Sequence, residues 1–292
     1  MSTSSQPRVQ SFTIGGVQVA KVIDTLEPTS PRVLYVDKRK EDFDPHLSWL
    51  QPSFLDAEKR MLLSIHTFVI KTKHHTVLID TCVGNDKQGL AFPQWNGRRA
   101  SYVEDLAAVG CAPEQVDYVF CTHMHLDHTG WNTQLRDGRW IPTFPKAKYL
   151  FNRGEWEHWK DIATAEDQAV IRQNIVPIIE AGQVAWVENA WGIDDEVTLL
   201  PTPGHTPGHC SVQISSHGKA AIVTGDMMVH PVQVAEPQWV QHADNDPALA
   251  VTTRTRFIEQ HCDSTTMILG THFNTPTGVF IESKGQAKRV RW

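Results

Sequence analysis

The chain has 292 residues, 40% hydrophobic and 21% charged, with 17 Pro and 18 Gly. That composition excludes disorder over most of the length and allows one large core. Lys and Arg number 27 against 33 Asp and Glu, and the resulting net charge of -6 excludes a general affinity for nucleic acid or for an anionic membrane surface. The five cysteines (Cys82, Cys111, Cys121, Cys210, Cys262) are widely spaced without a Cys-x-x-Cys, so they read as reduced core residues and not as a disulfide framework or a thiolate zinc site. The first residues carry no apolar core of signal-peptide length, and no run of 18 apolar residues occurs anywhere. The expected location is the cytoplasm.

Alternating apolar residues around Gly15-Gly16 predict a β-hairpin over residues 11–23, and β-branched runs at 64–70 and 76–80 predict a second. Between them, residues 28–60 are Pro-bearing and carry Tyr35, Phe43, Trp49 and Phe54, aromatics that could form an arm or lid over a pocket or the contact of a homodimer. Helical spacing at 99–109 ends at Gly110, followed by a strand at 117–121. Helix returns over 155–182, broken or kinked near Pro177. Short strands follow at 184–187, 196–200, 210–214 and 220–224. Asp246 and Pro247 open a helix over 247–261, and strands near 266–269, 278–282 and 287–291 close the chain. No linker, repeat or low-complexity segment divides it, so residues 1–292 read as one domain of mixed α and β.

Four segments share one form, an apolar strand-like run, then small or turn-forming residues, then a metal-ligand residue type. They end at His123, His205, Asp226 and His272. Ligand types at four strand ends gather where loops build sites. The first segment continues as His123-Met-His125-Leu-Asp127-His128, the strongest signal in the sequence. In an extended stretch residues two apart point the same way, so His123 and His125 can share one ion while Asp127 and His128 face a neighbouring one. Imidazole and carboxylate without thiolate suit Zn, Mn or Fe(II). The isolated His46, His74, His75, His217, His242 and His261 read as ordinary surface or core histidines.

On these residues the sequence resembles the metallo-β-lactamase superfamily, from Leu78-Ile79-Asp80 through the His123–His128 run, Pro203-Gly204-His205-Thr206-Pro207-Gly208-His209, Gly225-Asp226 and Gly270-Thr271-His272. The resemblance implies an αββα sandwich of two mixed β-sheets flanked by helices. It implies two divalent metal ions, Zn before Mn, Fe or Co, with His123, His125 and His205 on one, Asp127, His128 and His272 on the other, and Asp226 bridging. Asp127 and Asp226 would be the catalytic carboxylates, and Asp80 would orient ligands. His209 and His230, close to these motifs, could contact substrate or stand behind the ligands, or be ordinary hydrogen-bonded structural histidines. The shorter motifs Val83-Gly84-Asn85-Asp86-Lys87, Gly130-Trp131-Asn132 and Phe144–Phe151 resemble a branch that includes methyl parathion hydrolase, aryl esterases, lactonases and a hydrolytic dehalogenase of aromatics.

The expected activity is hydrolysis of small, largely apolar or aromatic esters, lactones or phosphotriesters by a water shared between the ions. The alternatives are a phosphodiesterase or nuclease, or the dehalogenase chemistry. No Gly-x-Ser-x-Gly elbow offers a serine route. Trp131, directly after the ligand run, is the expected pocket wall, with Trp156 and Trp159 beside it. The expected partner is a small molecule, with neither nucleic acid nor membrane.

Overall fold

A computed structural model describes residues 8–162, 164–188 and 190–292. Residues 1–7, read above for a leader, and Ala163, within the helical stretch 155–182, lie outside them. The N-terminal half contains β1 (Val9–Ile14), β2 (Val17–Thr29), β3 (Met61–Lys71), β4 (Thr76–Ile79), β5 (Tyr118–Phe120), β6 (Thr133–Arg136), β7 (Arg139–Pro142), β8 (Lys148–Asn152) and β9 (Val184–Val187). Seven of these form one sheet in the order β1-β2-β3-β4-β5-β8-β9, antiparallel as far as β4 and parallel from there on. A second sheet joins β10 (Val197–Pro201), β11 (Cys210–Ser216), β12 (Lys219–Val223) and β13 (Met267–Leu269), with only the last pair parallel. The hairpin of β14 (Phe280–Lys284) and β15 (Ala287–Arg291) lies beyond it.

Period-two alternation distributes the strand residues between different cores. Val77, Ile79, Phe120 and Leu150 of the first sheet meet Leu199, Val212, Val223 and Leu269 of the second, forming the layer between the sheets. Leu78, Val119, Tyr149 and Phe151 point the other way, against the helices Tyr102–Ala108, Arg153–Trp159 and Val176–Glu180. Strands buried on both faces read as continuous apolar runs, as 76–80 does. Ile222 and Ile268 face outward from the second sheet onto the helix Pro247–His261. The result is the αββα sandwich.

The helix Pro247–His261 has the bounds expected from its sequence. Asp246 accepts a hydrogen bond from the Leu249 N–H at 3.0 Å, and Ala250, Arg254, Phe257 and Ile258 form its buried stripe. The stretch 155–182 differs from one kinked helix. Pro177 has no N–H for the carbonyl four residues before it, and the chain widens into a π turn at Ile171–Ile175 between two short helices. The β6–β7 hairpin was not read from the sequence. Asp137 and Gly138 at its turn have φ of 50° and 74°, so the Asp-Gly pair was the available signal.

Residues 28–60 finish β2 and continue as short helical turns. Tyr35, Phe43 and Phe54 are fully buried, packed with Met228, Trp239 and Phe273 outside the second sheet. Tyr35, Phe43 and Phe54, expected on an arm, are therefore core, Trp49 is half-buried against them, and only the start of the segment reaches the cleft described below.

The two halves are also tied by Lys21. Its buried ammonium donates to the carbonyls of Phe273 at 2.7 Å and Thr275 at 3.0 Å, anchoring the loop after β13 to β2. Burial lowers its pKa from 10.5 to about 7. Between those values the unfolded chain holds a proton that the folded chain lacks, so stability rises with pH across this window, by up to about 1.4 kcal/mol per unit. In urea titrations from pH 7 to pH 10 the wild type should gain stability relative to Lys21→Met. Parallel curves would show that Lys21 does not titrate there.

Candidate metal centre

Every ligand-type residue lies just past the end of a strand. β5 is followed by a bend through Thr122–Met124 and then the single helical turn Leu126–Thr129, with His125 at its N-cap position. His123 and His125 thus meet through a loop and not through strand alternation, and Asp127 and His128 follow in the first turn. His205 stands in the loop between β10 and β11, Asp226 in the 3-10 turn after β12, and His272 after β13. Gly225 permits that turn. Its φ is 55°, and a Cβ would stand 2.4 Å from the His209 Nε2.

The side chains gather in two adjoining groups, His123, His125, His205 and Asp226 in one, Asp127, His128 and His272 in the other. His125 Nδ1 lies 2.8 Å from His123 Nε2 and 3.0 Å from His205 Nε2. The two carboxylate oxygens of Asp226 divide between the groups. Oδ2 is 3.7 Å from His205 Nε2 and 4.0 Å from His123 Nε2, whereas Oδ1 is 3.0 Å from His272 Nε2 and 3.4 Å from His128 Nε2. Asp127 completes the second group, 3.6 Å from His272 and 3.7 Å from His128.

These atoms fit divalent cations on their own chemistry. His205 has Asp244 Oδ1 at 2.9 Å from its Nδ1, which assigns the ring proton there and leaves a lone pair on Nε2, aimed at His125. His128 Nδ1 lies 2.9 Å from Asp80 Oδ2, an ion-pair distance, and its Nε2 faces Asp226 Oδ1 at 3.4 Å. His128 Nε2 and Asp226 Oδ1 are buried without a hydrogen bond, a state that costs on the order of 1–3 kcal/mol per group unless another species satisfies them. Burial, then the adjacent imidazoles, hold His123 and His125 well below the usual histidine pKa, in the neutral form a cation needs. Burial opposes charge on His128 too, but Asp226, Asp80 and Asp127 outweigh it and raise its pKa. Asp226 does the same for His272.

Three buried carboxylates fix the ligands. Asp80 takes the Thr122 N–H at 2.7 Å while holding His128. Asp244 holds His205, accepts the Gln241 N–H, and lies 3.7 Å from the buried Arg254 guanidinium, which donates to the carbonyls of Met227, Pro237 and Trp239. Glu155 accepts from Met124 N–H, Gly208 N–H and the Trp159 indole, joining the two ligand loops to one helix. Asp80 was expected here; Asp244 and Glu155 were not, because sequence distance hides which histidine or loop a carboxylate will meet. The Asp244–Arg254 pair had one signal, a charged residue within the buried stripe of a helix.

His209 stands beside the ligands as expected: its Nδ1 meets Thr202 and its Nε2 accepts the Asp226 N–H at 3.0 Å. His230 does not. Its Nε2 meets the Phe54 carbonyl at 3.1 Å and its Nδ1 accepts the Val232 N–H, so it anchors residue 54 in the core. The tryptophans are also placed differently. Trp131 is buried and stacked on Tyr102 with centroids 5.0 Å apart, Trp159 sits edge-on to His125 at 5.1 Å, and Trp156 packs on Trp186. None lines the cleft. Trp131 follows the ligand run into the core because Gly130, its neighbour, lies against the Val83 carbonyl.

The ligand groups form the floor of a cleft of about 660 Å³ walled by Pro28, Val33, Leu34, Phe92, Trp95 and Val229. Residues 60–258 match the model of the metallo-beta-lactamase superfamily. The chain belongs to that superfamily. It is similar to an N-acyl homoserine lactonase of Bacillus thuringiensis, 24% identical over 71% of this chain and 80% of the relative, and to one of Bacillus sp., 26% identical over 55% and 62%. Among solved structures, this superfamily member is similar in fold to the hydrolase AbOPH (TM-score 0.79, 23% identity, 98% of each chain). It is also similar in fold to the dizinc quorum-quenching lactonase AidC (0.77, 18%, 97% of this chain and 96% of that one).

Two measurements test the centre. Elemental analysis should find two metal equivalents per chain, with His128→Ala chiefly emptying the second group and Asp226→Ala depleting both. Two full equivalents in either variant, or equal loss from both groups in His128→Ala, would sink the assignment. Asp244→Ala, which frees the His205 ring, should weaken metal binding about 10–100-fold in a chelator competition. Unchanged affinity would show that Asp244 does not orient the ligand.

Proposed function

We propose that the chain is a binuclear metal-dependent hydrolase of small, neutral, largely apolar lactones and esters. The observation that carries this is the cleft itself. Five of the seven ligand-type side chains line its floor, with His123 and His128 buried behind them, its walls are mostly apolar, and among the described residues lining it there is neither Lys nor Arg. Glu27 and Asp167 line it as well, so an anionic substrate would lose hydration with no basic partner to replace it. That counts against phosphodiesters and nucleic acid. The lactonase names of the relatives and the dizinc description of AidC support the lactone half of the proposal.

Bound divalent cations, Zn first and Mn, Fe or Co as the other choices, would supply Lewis acidity and an acidified water at the floor. The chain supplies the rest. Asp226 ties the two groups through its two oxygens, while His209, through the Asp226 N–H, fixes the turn that carries it. Asp127 is the ligand carboxylate with the most exposure to the cleft and can accept a proton from the attacking water. Phe92, Trp95 and Val33 cover the apolar part of the substrate and exclude water from it.

The test is kcat/KM of the metal-loaded protein over acyl lactones, phenyl esters and phosphotriesters, with RNA and a cyclic nucleotide as controls. Lactones or neutral esters should be turned over well above the controls. Background rates on every neutral substrate, with turnover of the nucleotides, would replace this reading by the phosphodiesterase one.

A further inference from the structure

The cleft contains one histidine outside the ligand set. His242, which in isolation reads as an ordinary surface residue, lines the same cleft as His125, His205, Asp127, Asp226 and His272. It stands between two residues committed to the centre. Gln241 donates through Nε2 to the Asp226 carbonyl at 2.9 Å, and Asp244 holds His205. The His242 backbone N–H is fixed to the Leu34 carbonyl at 2.9 Å, so the main chain holds the residue at the cleft wall, and its exposed ring has no side-chain partner among the described residues.

Among the described side chains lining the cleft outside the ligand set, Thr29, Ser30, Gln94 and Gln241 carry only hydroxyl or amide protons, which are too weakly acidic to be given up near neutral pH, and His242 is the one imidazole. The Trp95 indole is directed to Glu27 at 3.2 Å, and the Gln241 amide is spent on Asp226. The ionisable neighbours that share the space are Glu27 and Asp167, the ligand carboxylates Asp127 and Asp226, and the ligand imidazoles. An imidazole is the side chain suited to hold and release a proton near neutral pH.

Resting on the hydrolase reading above, we infer that His242 is the proton donor to the leaving oxygen. Water adds to the carbonyl carbon, forming the new C–O bond, and its proton passes through Asp127 to solvent. The adduct breaks the bond to the leaving oxygen, which takes the electron pair and a proton from the His242 imidazolium. The neutral imidazole regains its proton from solvent, and the net change is addition of one water across the ester bond. A poor leaving group, such as the alkoxide of a lactone or alkyl ester, needs this proton; a nitrophenolate does not.

The experiment compares wild type, His242→Gln and His242→Ala, all metal-loaded and checked for equal metal content, on an alkyl lactone, an alkyl ester and a para-nitrophenyl ester of the same acyl group. Both variants should lose about 100-fold in kcat on the alkyl substrates and about threefold or less on the nitrophenyl ester. Added imidazole should restore the alkyl rate of His242→Ala without accelerating the wild type. An equal loss on all three substrates, or no loss on any, would overturn the role of His242 while leaving the hydrolase reading intact. A wild type inactive on every ester and lactone would overturn both.

Discussion

The structure depends on a carboxylate that faces two ways. Asp226 presents one oxygen to His123 and His205 and the other to His128 and His272, and it is buried. Burial alone would push its proton affinity up, but His272 and His128 outweigh it and hold the carboxyl well below the usual range. A permanent negative charge is thereby held at the meeting point of lone pairs from both groups. Such an arrangement is stable only with positive charge among those atoms, from protons on His128 and His272 or from divalent cations that displace them.

The αββα frame makes that arrangement possible. The ligand-type residues come from four separate strand ends, and none of those loops could hold a ring at a fixed angle alone. Asp80, Asp244 and Glu155 each connect a ligand or its loop to something rigid: a strand end, a helix through Arg254, a helix N-terminal turn. Lys21 performs the same task for the His272 loop through main-chain carbonyls. Buried charges that would otherwise be costly are each met by donors or an opposite charge, and they concentrate around the centre.

The cleft walls come from different parts of the chain than the ligand-type residues. The cleft walls derive from the end of β2, the turn after it, and the Pro-bearing segment with Phe92 and Trp95. These segments contribute no metal ligand. Their chemistry can vary without disturbing the centre, which is the usual division between a fixed reaction and a variable substrate on one fold.

The sequence by itself determined the seven ligand-type residues that gather at the centre and the frame that gathers them. Strand periods, the Asp246-Pro247 helix start and the His-x-His-x-Asp-His run are local, and each states its residue type and spacing without reference to anything distant. The tertiary structure alone decided which aromatics line the cleft. Trp131 and Phe92 look alike as exposed-loop candidates, and the difference is that Gly130 packs against Val83 and carries Trp131 onto Tyr102, whereas Phe92 faces the cleft. His230 and His209 differ in the same way, one meeting the Phe54 carbonyl and the other the Asp226 N–H. So do His242 and the other isolated histidines. A side chain's partner is set by contacts across tens or hundreds of residues, and those distances become contacts only when the sheets pack.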